Sequence, residues 1–353
     1  MSKIAIITDT HFGARGDSTV FLDYFERFYD EIFFPEIESQ GIKTIIHCGD
    51  LVDRRKYINF NTANRLRKTF IEKLGNYETI ILAGNHDTYH KNTSEINALH
   101  EMVNNHGNIK TIINPCVMKV HDREMVFLPW INDNNAEDSL ELIENVSLDY
   151  CFGHLELQGF EMQVGSFSEH GMDHNIFNKF SSVFTGHFHH KSSKNNIHYL
   201  GAPYEMTWSD YSDLRGFHTF EVSTGDLKFI QNPLNMFHKI IYDDSNKTHD
   251  QIMSHEFSKY NKKYVKVIVH KKNNPYWFDK FIEELERNSP YNIQIIEDHL
   301  TFKMENDEEF IENAQDTFSI LRNYVKTLPE GINKPKLEIL LKTLYDEASL
   351  LET

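Results

Sequence analysis

Three short hydrophobic runs, KIAIIT (3–8), TIIHC (44–48) and ETIILA (78–83), are separated by two stretches with apolar residues at helical spacing, VFLDYFERFYDEIFFPEI (20–37) and TANRLRKTFIEKLG (62–75). This β-α-β-α-β alternation predicts parallel strands joined by helices, with ligands collected at the carboxyl ends of the strands. From about residue 110 the segments become short and strand-rich: VMKVH, EMVFLPW, LDYCFGH, SSVFTGH, NIHYLG, GFHTFEV and LKFIQN. They predict a second, mostly antiparallel sheet packed on the first.

The residues just past each run narrow the chemistry. After IAIIT comes Asp9-Thr10-His11, after TIIHC comes Gly49-Asp50-Leu51-Val52-Asp53, and after TIILA comes Gly84-Asn85-His86-Asp87. LDYCF ends in Gly153-His154, and SSVF in Thr185-Gly186-His187-Phe188-His189. Each piece alone reads as an ordinary polar turn. Together, five strand ends deliver carboxylate, amide and imidazole groups to one sheet edge. Mixed Asp, Asn and His donors without cysteine suit Mn, Fe or Zn in open sites that keep water. Two such ions can clamp a phosphoryl group during in-line attack, and a carboxylate is the natural bridge between them.

The bulk properties agree with an enzyme of the cytoplasm. The 353 residues predict more than one domain. No apolar run approaches the ~20 residues of a membrane span, and the N-terminus lacks the layout of a signal peptide. Cys48, Cys116 and Cys151 stand far apart, which excludes a CxxC zinc ribbon and argues against a disulfide framework. The net charge of −17 opposes DNA binding by the chain alone, since that needs a basic face. Metals or a partner would have to supply positive charge.

The set Asp9-x-His11, Gly49-Asp50-x-x-Asp53, Gly84-Asn85-His86-Asp87, Gly153-His154 and Gly186-His187-x-His189 resembles the calcineurin-like metallophosphoesterases. GHLELQGFE, TGHFHHKS, YLGAPYEMTWSD and RGFHTFE are similar to the SbcD and meiotic-recombination-eleven nuclease family, in particular its T-even bacteriophage members. The resemblance implies an α/β fold, a four-layer α/β/β/α sandwich. It places one metal on Asp9, His11, Asp50 and His189, and a second on Asp50, Asn85, His154 and His187. The ions expected are Mn²⁺ or Mg²⁺, with Mn²⁺ preferred. His86 is implied as general acid or charge stabiliser at the scissile phosphate. Asp53 either orients His86 or is a solvated turn residue. Arg54 and Arg55, beside Lys56, either hold the DNA backbone or form a solvated charge run.

The organisation expected is a nuclease domain (1–245), a small β-α-β capping, DNA-binding domain (246–302) and a helical segment (303–353). The capping helix starts near Pro275 and carries a stripe of Trp277, Phe278, Phe281, Ile282 and Leu285. Phe310, Ala314, Phe318, Leu321, Val325 and Leu328 stripe one helix of the last segment, and Leu337, Leu340, Leu341, Leu344, Ala348 and Leu351 the other. By resemblance this hairpin binds the coiled coil of an SMC-like ATPase partner. The family also implies a homodimer through the nuclease domain, with Tyr57, Ile58 and Phe60 as candidate contacts. The activity implied is exonuclease on duplex DNA ends and endonuclease on single strands, in recombination and double-strand-break repair. A phosphodiesterase or protein phosphatase on the same fold is the alternative, favoured by GDLVDR and the acidic charge. A scaffold that has lost its metals is the third reading.

Other residues receive expectations too. His47 is expected to be packed, Tyr204 and Trp208 to be structural rather than base-stacking, and His170 and His174 to lie in a loop between ligands. In TGHFHH, an extended chain would turn His187 and His189 to one side and His190 to the other. That marks His190 as the bystander.

Overall fold

The computed structural model describes residues 3–103 and 107–297, together with Val325, Lys334, Lys336, Leu337, Leu340 and Leu341. Apart from the last six, the expected partner-binding segment 303–353 lies outside the described residues. The chain divides into two compact units, Met1–Met206 with Asp210–Phe237, and Thr207–Ser209 with His238–Thr353.

Two six-stranded sheets form the first unit. One runs in the order Asp226–Gln231, Gly216–Glu221, Lys3–Ile7, Thr44–His47, Glu78–Leu82, Ile109–Ile112. The last four are mutually parallel, with Ile6 opposite Ile46 and Ile46 opposite Ile80. The other sheet runs Ser192–Lys194, Ile197–Tyr199, Ser182–Gly186, Tyr150–His154, Arg123–Leu128, Cys116–Val120. Ile4, Ile6, Ile46 and Leu82 from the first sheet meet Met125, Phe127, Phe152 and Phe184 from the second in one buried core. Each such side chain contributes about 1.5–3 kcal/mol by leaving water.

Helices cover both outer faces. Thr19–Phe28 buries Phe21, Leu22, Phe25 and Phe28, then continues through a wider turn at Tyr29–Phe33 into Phe34–Ser39, where Pro35 sits in the first turn. These aromatic rings form a layer with Phe12, Phe70 and Tyr204, in which Phe25 stacks on Tyr204 at 3.9 Å. On the far side Ala136–Asn145 buries Ile143 among Val126, Leu128, Cys151 and Val183. The layers are therefore α/β/β/α, as expected.

Two expectations about strands are corrected. The second sheet is parallel across its centre, pairing Arg123–Leu128, Tyr150–His154, Ser182–Gly186 and Ile197–Tyr199 in one direction, and antiparallel only at its edges. Parallel neighbours need long crossovers. The segments 129–149 and 155–181 supply two of these, and neither could be told from hairpin loops by strand length. Gly216–Glu221 and Asp226–Gln231, read as part of that sheet, instead join the first, antiparallel to Lys3–Ile7.

In the second unit, Phe237–Asp243, Tyr264–Lys271 and Asn292–Ile296 make a three-stranded sheet. Helix Pro275–Arg287 is capped by Asn274, whose side chain accepts from Trp277 N, and buries Phe278, Phe281 and Leu285 on this sheet. The strand Phe237–Asp243 falls inside the 1–245 range expected for the nuclease domain, yet it hydrogen-bonds into the three-stranded sheet of the second unit.

Candidate metal centre

The strand ends are laced into one rigid edge. Asp9 N donates to Gly49 O and Thr10 N to Asp50 O, each at 2.9 Å, which ties the first loop to the second. Asp50 Oδ1 accepts from His86 N at 2.8 Å, tying the second loop to the third. Asp9, His11, Asp50 and His187 all hold positive φ, at 52°, 41°, 57° and 91°. Such conformations cost non-glycine residues about 1–3 kcal/mol each and persist where the surroundings over-determine them. Two glycines permit the close approach. A Cβ on Gly84 would lie 2.1 Å from Asp50 Oδ1, and one on Gly186 would lie 2.0 Å from Thr8 Oγ1.

Two donor groups result. Asp9, His11 and His189 bring one ligand atom each within 4.8 Å of one another, and so do Asp50, His154 and His187. The ring nitrogens of His11 and His189 meet at 3.0 Å. Asn85 Oδ1 lies 2.9 Å from His154 Nε2 and 3.0 Å from His187 Nδ1, which adds an amide oxygen to the second group. Asp50 Oδ2 stands between the groups, 3.6 Å from His11 Nε2 and 3.4 Å from His154 Nε2. A third group, His11, Asp53 and His86, gathers its ligand atoms as closely.

The charges fit a cation. Burial lowers the His187 and His189 imidazoles to about 3 and takes His11 well below its usual range, so all three are neutral near pH 7 and free to donate a lone pair. Burial pushes Asp9 up to about 7. Burial also opposes ionisation of Asp50, but the imidazoles of His154, His86 and His11 outweigh it and hold the carboxyl well below its usual range. Burial pulls His154 down, yet Asp50, Asp9 and the Cys48 carbonyl raise it to about 9. Two carboxylates in a dry site thus draw a proton onto His154, and a divalent cation would take that proton's place. Its Nδ1 donates to Cys48 O at 2.8 Å, which turns Nε2 toward Asp50 and Asn85. The donor set fits hard-to-borderline divalent ions.

The remaining expected site residues divide. His86 is half-buried, with its ring edge-on to His11 at 4.8 Å. Its Nδ1 donates to the backbone carbonyl of Asp53, not to the carboxylate. The Asp53 carboxylate instead lies 3.7 Å from His11 Nδ1. Arg54 is engaged by Asp17 at 2.9 Å and lies over the Tyr57 ring at 5.1 Å. Arg55 reaches Thr88 Oγ1 at 3.5 Å. His190 pairs with Asp213 at 2.9 Å and belongs to none of the three donor groups. Alternation along an extended chain does not separate these histidines, because the strand ends at Gly186 and the chain turns at His187. His47 is buried against Thr10 Oγ1, and Tyr204 donates its hydroxyl to Thr10 O. His170 and His174 are in none of the donor groups.

Three further residues touch the site without having been expected there from the sequence. The buried Asp87 carboxylate accepts from Leu51 N, Val52 N and Gly84 N at 2.9, 3.1 and 2.9 Å. Arg215, also buried, donates to the His189 carbonyl and pairs with Asp210 and Asp213. Trp130 lies against His187 and His154, with ring centroids at 5.1 and 6.2 Å. For Asp87 the signal was its place directly after Gly-Asn-His; for Trp130 it was the end of another strand.

A four-layer sandwich with Asp, Asn and His donors gathered at its strand ends defines a metal-dependent phosphoesterase, a hydrolase of phosphoester bonds. The chain belongs to the calcineurin-like phosphoesterase family, whose model matches residues 2–191. Members of that family use divalent metals. The chain is 28% identical over 356 residues to exonuclease subunit 1 of Enterobacteria phage T4, covering 98% of this chain and 99% of the relative. Among solved structures, an archaeal phosphodiesterase aligns at TM-score 0.35 and 13% identity over 65% of this chain and 99% of that one. A purple acid phosphatase from yellow lupin seeds aligns at 0.33 and 13% over 67% and 46%. Among the described residues, no helix is long and apolar enough to cross a membrane.

Proposed function

We propose that this chain is the nuclease subunit of a DNA-processing complex, cutting DNA phosphodiesters with two divalent ions, Mn²⁺ by preference. The observation that carries the reading is Asp50, whose carboxylate stands between two converging donor groups. Asp9, His11, Asp50 and His189 would hold one ion, and Asp50, Asn85, His154 and His187 the other. Ions held by these residues would supply Lewis-acid polarisation of a phosphoryl group and a more acidic attacking water. His86, held through Nδ1 by the Asp53 carbonyl, offers Nε2 to the leaving oxygen as acid or charge stabiliser. Asp53 supports it through that backbone carbonyl. Arg54 and Arg55 flank the site and supply positive charge for the DNA backbone.

The likeness to an exonuclease subunit supports DNA as substrate and a partner subunit. We assign the ATPase contact to 303–353, the capping role to 246–302, and a homodimer contact to Tyr57, Ile58 and Phe60, of which Tyr57 and Phe60 are 64% and 93% exposed. The complex acts in the cytoplasm of a bacterial host. An ATPase with a basic groove would offset the charge of −17. The test is incubation of the purified protein with linear duplex DNA, single-stranded DNA and a phosphopeptide, each with Mn²⁺, Mg²⁺ or EDTA. Metal-dependent DNA cleavage is expected. Hydrolysis of the phosphopeptide and neither DNA would replace the nuclease with a phosphatase.

A further inference from the structure

Beside the five strand ends that deliver ligands, another reaches the same edge. Arg123–Leu128 runs parallel to Tyr150–His154, with Leu128 opposite Gly153, so the chain leaves it beside His154. What it delivers there is Pro129-Trp130, an apolar group among donors. The indole leans on His187 at 5.1 Å and 40° and on His154 at 6.2 Å and 71°. It is only partly buried, whereas large aromatic residues such as Phe127 and Phe152 are wholly enclosed.

The backbone that carries the indole is also held in place. Trp130 N donates to Ala83 O at 2.7 Å, directly before Gly84-Asn85. Its carbonyl accepts from Asn135 Nδ2 at 3.1 Å, and Asn132 Nδ2 bonds Ser94 Oγ at 2.8 Å. This lattice fixes the Trp130 backbone beside the second donor group, and the partly exposed ring packs against His187. In a nucleotide the base lies one sugar away from its phosphate. A flat ring touching phosphate-side ligands therefore stands where the base next to a bound phosphodiester would come. Stacking on such a ring accepts any base, because every base has a π-face.

We propose that Trp130 is a nucleobase-stacking subsite, which seats a base flanking the scissile phosphate of single-stranded DNA. This rests on the nuclease reading. The subsite contributes to substrate hold and register and adds nothing to metal binding.

The experiment compares wild type, Trp130→Phe and Trp130→Ala with Mn²⁺ on three substrates: an oligonucleotide, the same oligonucleotide abasic on either side of the cut, and bis(p-nitrophenyl) phosphate. Bound Mn²⁺ is counted for each protein. Trp130→Ala is expected to raise KM for the oligonucleotide roughly 5- to 100-fold, the range of one lost stacking contact. Trp130→Phe should recover most of that loss. Bound Mn²⁺ and turnover of the small diester should stay at wild-type values. The abasic oligonucleotide should cost wild type as much as the alanine change does, with little further loss when the two are combined. An unchanged KM, or additive losses, overturns the subsite. Loss of Mn²⁺ and of small-diester turnover in Trp130→Ala also overturns it, and makes Trp130 a packing support for His187. If wild type cleaves the small diester but no oligonucleotide, the nuclease reading falls and the subsite falls with it.

Discussion

Asp87 holds Leu51 by its backbone N–H at 2.9 Å, and through the same carboxylate it holds Val52 and Gly84. One buried side chain thereby sets the distance between the loop that carries Asp50 and the loop that carries Asn85. An alanine at 87 leaves three buried N–H groups unpaired, at about 1–3 kcal/mol each. Asp87→Ala is expected to lose roughly 3 kcal/mol or more of unfolding free energy in a urea titration. Asp87→Asn keeps an acceptor for Leu51 and Val52 but turns N–H toward Gly84 N. It should remain folded and bind Mn²⁺ more weakly by calorimetry. Wild-type affinity in Asp87→Asn would remove the carboxylate from loop spacing.

The histidines of TGHFHH are expected to separate by metal content. His187→Gln and His189→Gln should each empty a site, because each belongs to a different donor group. His190→Gln should leave bound Mn²⁺ at the wild-type count, since His190 is engaged by Asp213. Elemental analysis after desalting reads all three. Metal loss in His190→Gln would contradict the assignment.

Acid should weaken the fold through buried neutral histidines. Burial lowers His47 and His218 to about 3, against about 6.5 in an unfolded chain. The unfolded state then binds more protons between those values, so stability is present above 6.5 and is lost as pH falls toward 3. At pH 5 each histidine should cost about 2 kcal/mol relative to neutral pH. Denaturant midpoints at pH 7.5 and 5.0 measure the sum. A smaller drop in His218→Asn would assign its share, and an identical drop would contradict it.

The ligand positions were legible because strand ends followed by Asp-x-His, Gly-Asp, Gly-Asn-His and Gly-His are local patterns. The contacts around them were less so. Asp87, Arg215 and Trp130 reach Leu51, His189 and His187, which lie 36, 26 and 57 residues away in sequence, and no periodicity reports such contacts. The positive φ values at Asp9, His11, Asp50 and His187 are imposed by the loops around them and leave no mark in composition. Asp53 shows the converse. Its place in GDLVDR left it between an orienter of His86 and a solvated turn residue, and the hydrogen bond to His86 comes from its backbone carbonyl. Strand direction in the second sheet depended on crossover paths, and strand length is silent about those.

Two ions are expected on either side of Asp50, and none at the competing group of His11, Asp53 and His86. Anomalous diffraction at the manganese edge, from crystals grown with Mn²⁺, tests this most directly. Two peaks are predicted, one among Asp9, His11 and His189 and the other among Asn85, His154 and His187, with the Asp50 carboxylate between them. A single peak, or any peak ligated by His86, would contradict the account.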